Sequence, residues 1–251
     1  MAMMVERITS AHNPLLRHIR KLQSTRSYRE ECGEFVCDGW KLLDEALRWY
    51  PKLKTVLVTN LAECPTLPQG TRVVEIPESL MQSLSSMKSP QGVIFTLELP
   101  QAKTPKLTPG MLLLDRIQDP GNLGTILRTA DAFGISVLLT NGCADAFSEK
   151  TVRASMGAVF RTLPQSIEMD TLLAQCREQG IPIAATALTD RAVDLRQIDL
   201  RQYITVIGSE GQGICASLLD ASQEQIIIPM QPRCESLNAA IAAAIVMWQM
   251  K

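Results

Sequence analysis

In the second half of the chain, short apolar runs alternate with stretches in which apolar residues recur every three or four positions. Residues 111–115 (MLLLD), 136–140 (SVLLT), 181–186 (IPIAAT), 204–208 (ITVIG) and 225–229 (QIIIP) are continuous runs of strand length. Helical periodicity separates them at 121–133, 148–156, 168–179, 212–220 and 236–250. Strands that are apolar on both faces, alternating with helices, predict an α/β fold with a mostly parallel sheet covered on both sides. Such sheets bind ligands beyond the carboxyl ends of their strands. The loops at 115–124, 208–213 and 229–238 follow predicted strands and become the places to look for chemistry.

The first half mixes its elements differently. Leu15, Leu16, Ile19 and Leu22 lie on one face of a helix that starts after Asn13-Pro14, and Leu42, Leu43, Ala46 and Leu47 mark a second helix over 39–50. Residues 55–59, 72–76 and 92–97 read as strands, with a short helix at 77–86. Between the halves, LPQAKTPKLTPG (99–110) carries three prolines and few large apolar residues, as an interdomain linker does. The expected domains are therefore 1–98, a linker at 99–110, and 111–251.

Composition narrows the class. The 251 residues are 46% hydrophobic and 20% charged, enough for a substantial core. No apolar run is long enough for a membrane span, and MAMMVERITS lacks a signal core, so a soluble cytoplasmic protein is expected. Seven scattered cysteines without a Cys-x-x-Cys pair point to reduced thiols and to no thiolate metal site. The histidines are His12 and His18, which removes Ser-His-Asp hydrolysis and histidine-held metal from the second half. The net charge of −1 hides an asymmetry: residues 1–29 hold six Lys or Arg against one acid, Glu6. Arg17, Arg20, Lys21, Arg26 and Arg29, with His12, form a basic front suited to phosphate contacts.

Three loops carry candidate chemistry. GSEGQG (208–213) is a glycine-rich turn between strand and helix, where backbone can approach a ligand. Read from Gly211, GQGICA fits the dinucleotide pattern, but the following strand ends in Pro229-Met230 rather than an acid. DPGNLGTILRTAD (119–131) sets Asn122, Gly124, Arg128 and Asp131 at the start and along one side of a helix, from which Arg128 can reach an anion. IPMQPRCESLN (228–238) leads into an alanine-rich, nearly all-apolar helix, with Ser236 as expected N-cap and Asn238 in its first turn.

Together and in this order, NLGTILRTA (122–130), VIGSEGQG (206–213) and IPMQPRCESLN resemble the motifs of the SpoU-type (TrmH-type) ribose methyltransferases of the SPOUT superfamily. RASMGAVFR (153–161) is similar to that family's intervening segment, and FVCDGWKLLDEAL (35–47) to its substrate-binding domain. The resemblance implies S-adenosylmethionine as cofactor, a homodimer, a deep trefoil knot near the C-terminus, and a small α/β RNA-binding domain in front, resembling certain ribosomal proteins. It implies 2'-O-methylation of a structured RNA, ribosomal more than transfer RNA. A tRNA ribose methyltransferase, a base-nitrogen methyltransferase of the same fold and a non-catalytic RNA-binding protein are the alternatives. By position, Asn122, Arg128, Glu210, Ser236 and Asn238 match its catalytic set. Thr186, Ala187, Gly208, Glu210, Gly213, Ile228, Met230, Ser236 and Leu237 match its cofactor contacts, and Arg128 joins the basic front as an RNA contact. No metal is implied. Pro232 stands where the third motif usually has glycine, which fixes φ and removes a donor there.

Overall fold

The computed structural model describes residues 5–101, 103–231, 233–234 and 236–251. The chain divides into two compact units, one of residues 1–101 with 147–161, the other of residues 102–146 with 162–251.

In the first unit, strands β1 (Val5–Arg7), β2 (Glu34–Asp38), β3 (Leu53–Val58), β4 (Arg72–Glu75) and β5 (Val93–Glu98) form a mixed sheet in the order β1-β4-β3-β5-β2. β1, β4 and β3 run parallel, and β5 is antiparallel to both β3 and β2. Period-two alternation sends Val36, Leu57, Val74 and Ile94 to one face, where they pack with Leu16, Ile19 and Leu22 of helix α1 (Pro14–Ser24). Asn13 starts α1 by accepting from the Leu15 amide at 2.8 Å, with Pro14 at the first helical position. Helix α2 (Arg26–Cys32) follows, and α3 (Trp40–Trp49) and α4 (Glu78–Leu84) come later in the chain.

Residues 147–161 were expected within the second domain, yet they pack in the first unit as helices α6 (Glu149–Ser155) and α7 (Ala158–Arg161). Aromatic burial accounts for this. The Phe147 ring lies 5.1 Å from that of Phe35, and Phe160 stacks on Tyr50 at 6.3 Å. Arg161 also pairs with Glu45 of α3.

The second unit holds an all-parallel sheet of β6 (Leu112–Asp115), β7 (Val137–Leu139), β8 (Gln165–Ser166), β9 (Ile183–Thr186), β10 (Val193–Asp194), β11 (Ile204–Gly208) and β12 (Glu224–Ile227). Its order is β10-β12-β9-β11-β6-β7-β8. Helices α8 (Met169–Gln179) and α9 (Ala216–Ala221) contribute Leu172, Cys176 and Leu218 to a core with Leu113, Leu138, Ala185 and Val206. Helix α5 (Pro120–Phe133) packs against α10 (Ala239–Gln249), whose buried Ala239, Ala240 and Ala243 permit close approach. Helix α9 is shorter than expected because residues 209–213 fold back on themselves instead of opening the helix. Among the described residues, no helix is long and apolar enough to cross a membrane. None of the seven cysteines is bridged.

Asp38, at the end of β2, is only 4% exposed, accepts from Ser85 Oγ through one oxygen and has no partner for the other. Burial pushes its pKa up to about 6, with Glu149 adding to the rise and Ser85 and Arg153 opposing it. A carboxyl raised in the fold contributes full stability below its unfolded value and loses it as pH rises through the folded value. The rise of about two units corresponds to about 3 kcal/mol. Asp38→Asn, neutral at every pH, should therefore gain about that much on the wild type between pH 4 and pH 7.5. Urea unfolding followed by Trp40 and Trp49 fluorescence in a Trp248→Phe background measures this, and parallel pH profiles would refute it.

Candidate active site

The carboxyl ends of β6, β11 and β12 lie side by side in register-linked order around β9, with Gly208 opposite Asp115 and Thr186 opposite Ile226. The three loops singled out by sequence therefore emerge on one edge of one sheet. Each begins with a local device. Asp119 caps α5 by accepting from the Asn122 amide at 2.7 Å, and Pro120 takes the first helical position. Asn238 caps α10, its Oδ1 accepting from the Ala240 and Ile241 amides at 2.9 and 3.3 Å. The cap is thus Asn238 and not Ser236, which lies exposed two residues earlier.

The turn after β11 is closed by an antiparallel bridge between Ser209 and Gly213, with the Gly213 amide donating to the Ser209 carbonyl at 2.9 Å. A Cβ on Gly208 would lie 2.4 Å from the Gly213 carbonyl carbon and 2.6 Å from the Ile214 nitrogen. Only a glycine lets the turn close at that point. Glu210 and Gly211 stand exposed at the tip.

Three of the five expected catalytic side chains meet. Asn238 Nδ2 donates to Asn122 Oδ1 at 3.0 Å, and Asn122 Nδ2 donates to Glu210 Oε1. The amide of Asn122 is thereby fixed in one orientation between a donor and a carboxylate. Arg128 is not brought to this cluster. It lies six residues along α5, a rise of about 9 Å and roughly a third of a turn off the Asn122 face. The single shared side that the sequence suggested therefore spreads over two. Arg128 is exposed and makes no hydrogen bond or ion pair among the described residues.

Of the expected cofactor contacts, Gly208 and Thr186 end their strands, Gly213, Ile228 and Met230 follow within a few residues, and Leu237 precedes the cap of α10. Ile228, Met230 and Leu237 are half-buried, and Leu188 is 65% exposed, so apolar surface is available there. Thr186 Oγ1 donates to the Val206 carbonyl at 2.9 Å, and the Ala187 amide donates to the Ile226 carbonyl at 3.0 Å. Pro232 and Glu235 lie outside the described residues.

Sequence reasoning missed Asp115 and Arg116. Asp115, 1% exposed, accepts from Thr140 Oγ1 at 3.0 Å and from the Cys215 amide at 2.8 Å, tying β6 to both neighbouring loops. The only sequence signal was an acid closing an apolar strand.

The basic front is uneven. Arg17 is exposed, Arg20 donates to Ser83 Oγ at 3.2 Å, Lys21 lies 5.3 Å from the Tyr28 ring centroid, and Arg26 pairs with Glu30 at 2.8 Å. Arg29 corrects the expectation. It is 5% exposed and donates to the Leu22 and Gln23 carbonyls, closing the C-terminus of α1 rather than facing a ligand.

Comparison with known proteins adds the following. The pattern described as the SpoU rRNA Methylase family matches residues 109–248, and that of an MRM3-like substrate binding domain matches residues 13–94. The 23S rRNA (guanosine(2553)-2'-O)-methyltransferase RlmP of Bacillus subtilis is 30% identical over 249 residues, 98% of this chain and 100% of that protein. The human mitochondrial rRNA methyltransferase 3 is 27% identical, covering 94% of this chain and 71% of that one. The crystal structure of an AdoMet-bound rRNA methyltransferase from Sinorhizobium meliloti superposes with a TM-score of 0.87 at 32% identity, over 98% of this chain and 97% of that one.

Gly208→Ala should strain the turn against backbone that has nowhere to go, lowering the stability of the second unit by about 3 kcal/mol. Native-state hydrogen exchange at the β11 amides reads this out, and unchanged protection would contradict the packing argument.

Proposed function

The chain belongs to the SpoU rRNA methylase family, and from that premise we propose that it transfers a methyl group from S-adenosylmethionine to a ribose 2'-hydroxyl of ribosomal RNA. The observation that carries this reading is the chain of hydrogen bonds from Asn238 through Asn122 to Glu210, which joins the three family motifs at one sheet edge.

The residues present suit the cofactor. The close turn at Gly208 and Gly213, the apolar surface of Ile228, Met230 and Leu237, and Thr186 and Ala187 would hold it, with Glu210 and Ser236 at the rim. When bound, it supplies a methyl group already activated by a sulfonium centre. What remains for the protein is alignment and control of the charge that grows on the ribose oxygen. Asn122, locked at both ends of its amide, orients groups at the mouth. A guanidinium offers only donors, so Arg128 is assigned no base role. Exposed and without a hydrogen bond or ion pair among the described residues, it clamps the RNA backbone and stabilises the developing oxyanion.

The first unit would present the RNA, through α1 with Arg17, Arg20 and Lys21, as a small domain resembling certain ribosomal proteins. We also propose that α10, whose first residues meet Asn122, is threaded through a loop as a trefoil knot. Ile241, Ile245 and Trp248 are 53%, 37% and 70% exposed and recur at helical spacing on α10. An apolar stripe of that kind fits a homodimer interface. A cytoplasmic location accords with unbridged cysteines.

The decisive experiment supplies S-adenosylmethionine bearing a heavy methyl and RNA from a strain lacking the gene, then analyses nucleosides by mass spectrometry. Heavy label on ribose in ribosomal RNA is expected. Label on a base or in tRNA alone would overturn the branch or the substrate. Arg128→Ala should lower kcat on the order of 100-fold while leaving cofactor affinity within about twofold, and near-normal turnover would sink its assigned role.

A further inference from the structure

Arg116 lies outside the three motifs, yet its side chain links the end of β6 to the turn after β11. It follows the buried Asp115 at the end of β6 and adopts φ +56°, a left-handed conformation that is unfavourable for a non-glycine residue. Its Nε is buried with no hydrogen-bond partner, a second cost. Neither would persist in this place without compensation. The compensation is visible in what the side chain reaches. Nη1 donates to Gln212 Oε1 at 2.9 Å, and Nη2 lies 3.4 Å from both the Gly213 carbonyl and Asp115 Oδ2. The backbone amide donates to Thr140 Oγ1 at 3.2 Å. Gly142 leaves the room that the stem needs, since a Cβ there would lie 3.1 Å from Arg116 Cγ.

The guanidinium therefore braces the turn that carries Glu210 from underneath, holding its far end to the end of β6. We propose that Arg116 is a positioning residue: its strained backbone directs the guanidinium against Gln212 and Gly213, so that the 209–213 turn holds Glu210 within reach of Asn122 before cofactor and RNA arrive. This rests on the methyltransferase reading only for its consequence, not for its geometry. Arg116 acts through the turn and touches none of the cluster formed by Asn122, Glu210 and Asn238.

Strain held for function has a signature that an ordinary structural arginine lacks. Arg116→Gly removes the unfavourable φ and the orphaned Nε together with the brace. The expected result is a melting temperature equal to or above the wild type's, with amides 209–213 exchanging at least tenfold faster in the free protein. Calorimetry should show Kd for S-adenosylmethionine raised at least tenfold, and KM for the cofactor should rise more than kcat falls. Arg116→Lys, able to make one of the contacts, should recover part of the affinity. If the glycine variant keeps wild-type exchange at 209–213, the brace does not exist and the inference fails. If it melts lower and loses affinity in proportion, Arg116 is simply structural and the inference also fails. If the wild type binds no S-adenosylmethionine, the methyltransferase reading falls, while the exchange measurement still decides the brace.

Discussion

The parallel pairing of β11 with β6, which sets Gly208 directly opposite Asp115, is the constraint from which the rest of the site follows. It puts the end of one strand, with its buried carboxylate, against the start of the turn that Gly208 lets close. Asp115 then binds the Cys215 amide on the far side of that turn and Thr140 beyond β7. A carboxylate buried to 1% exposure is tolerable only because donors reach both of its oxygens. The strand ends are thus fixed by hydrogen bonds as well as by the sheet, and the loops that leave them start from defined positions.

Much of this was legible before any coordinates. Continuous apolar runs identified β6, β7, β9, β11 and β12 because both faces of a parallel sheet are buried, and such burial leaves no polar alternation to misread. Asn122, Glu210 and Asn238 could be named as a set because the three loops that follow strands resemble, in order, the SpoU-type motifs; loop composition alone did not select them. Less legible were features that depend on partners far along the chain. β2 was missed because Glu34 and Asp38 at its ends look polar, although both are buried. The excursion of 147–161 into the first unit rests on Phe35, Tyr50, Phe147 and Phe160 meeting, and no periodicity encodes such pairings. Arg29 looked like its basic neighbours on α1 and α2 until its burial against helix-end carbonyls separated it from them.

The helix caps connect local sequence to the geometry of the site. Asp119 and Asn238 are each an Asx residue holding the first amides of a helix, which any sequence reading would treat as a stability feature. Here they do more, because the Asn238 side chain has a second end. Its Oδ1 caps α10 while its Nδ2 fixes Asn122, so the start of the last helix and the orientation of the central amide are one and the same constraint. With the cap at Asn238 and not at Ser236, Asn238 is immobilised and Ser236 is left exposed.

Electrostatics explains why the work is divided between Glu210 and Arg128. The N-termini of α5 and α10 converge on Asn122, and the positive ends of two helix dipoles favour negative charge nearby. Glu210 supplies that charge from the opposite loop, held by Asn122. A phosphate drawn to the same helix ends would meet the Glu210 carboxylate already in place, so an RNA backbone bound as proposed would need a cation set apart from it. In the proposed reading Arg128, exposed on a different face of α5 and without an ion pair among the described residues, is the group placed to supply that cation. Had Arg128 lain on the Asn122 face, it would have stood beside Glu210, and the two charges would have closed into an internal ion pair instead of remaining separate.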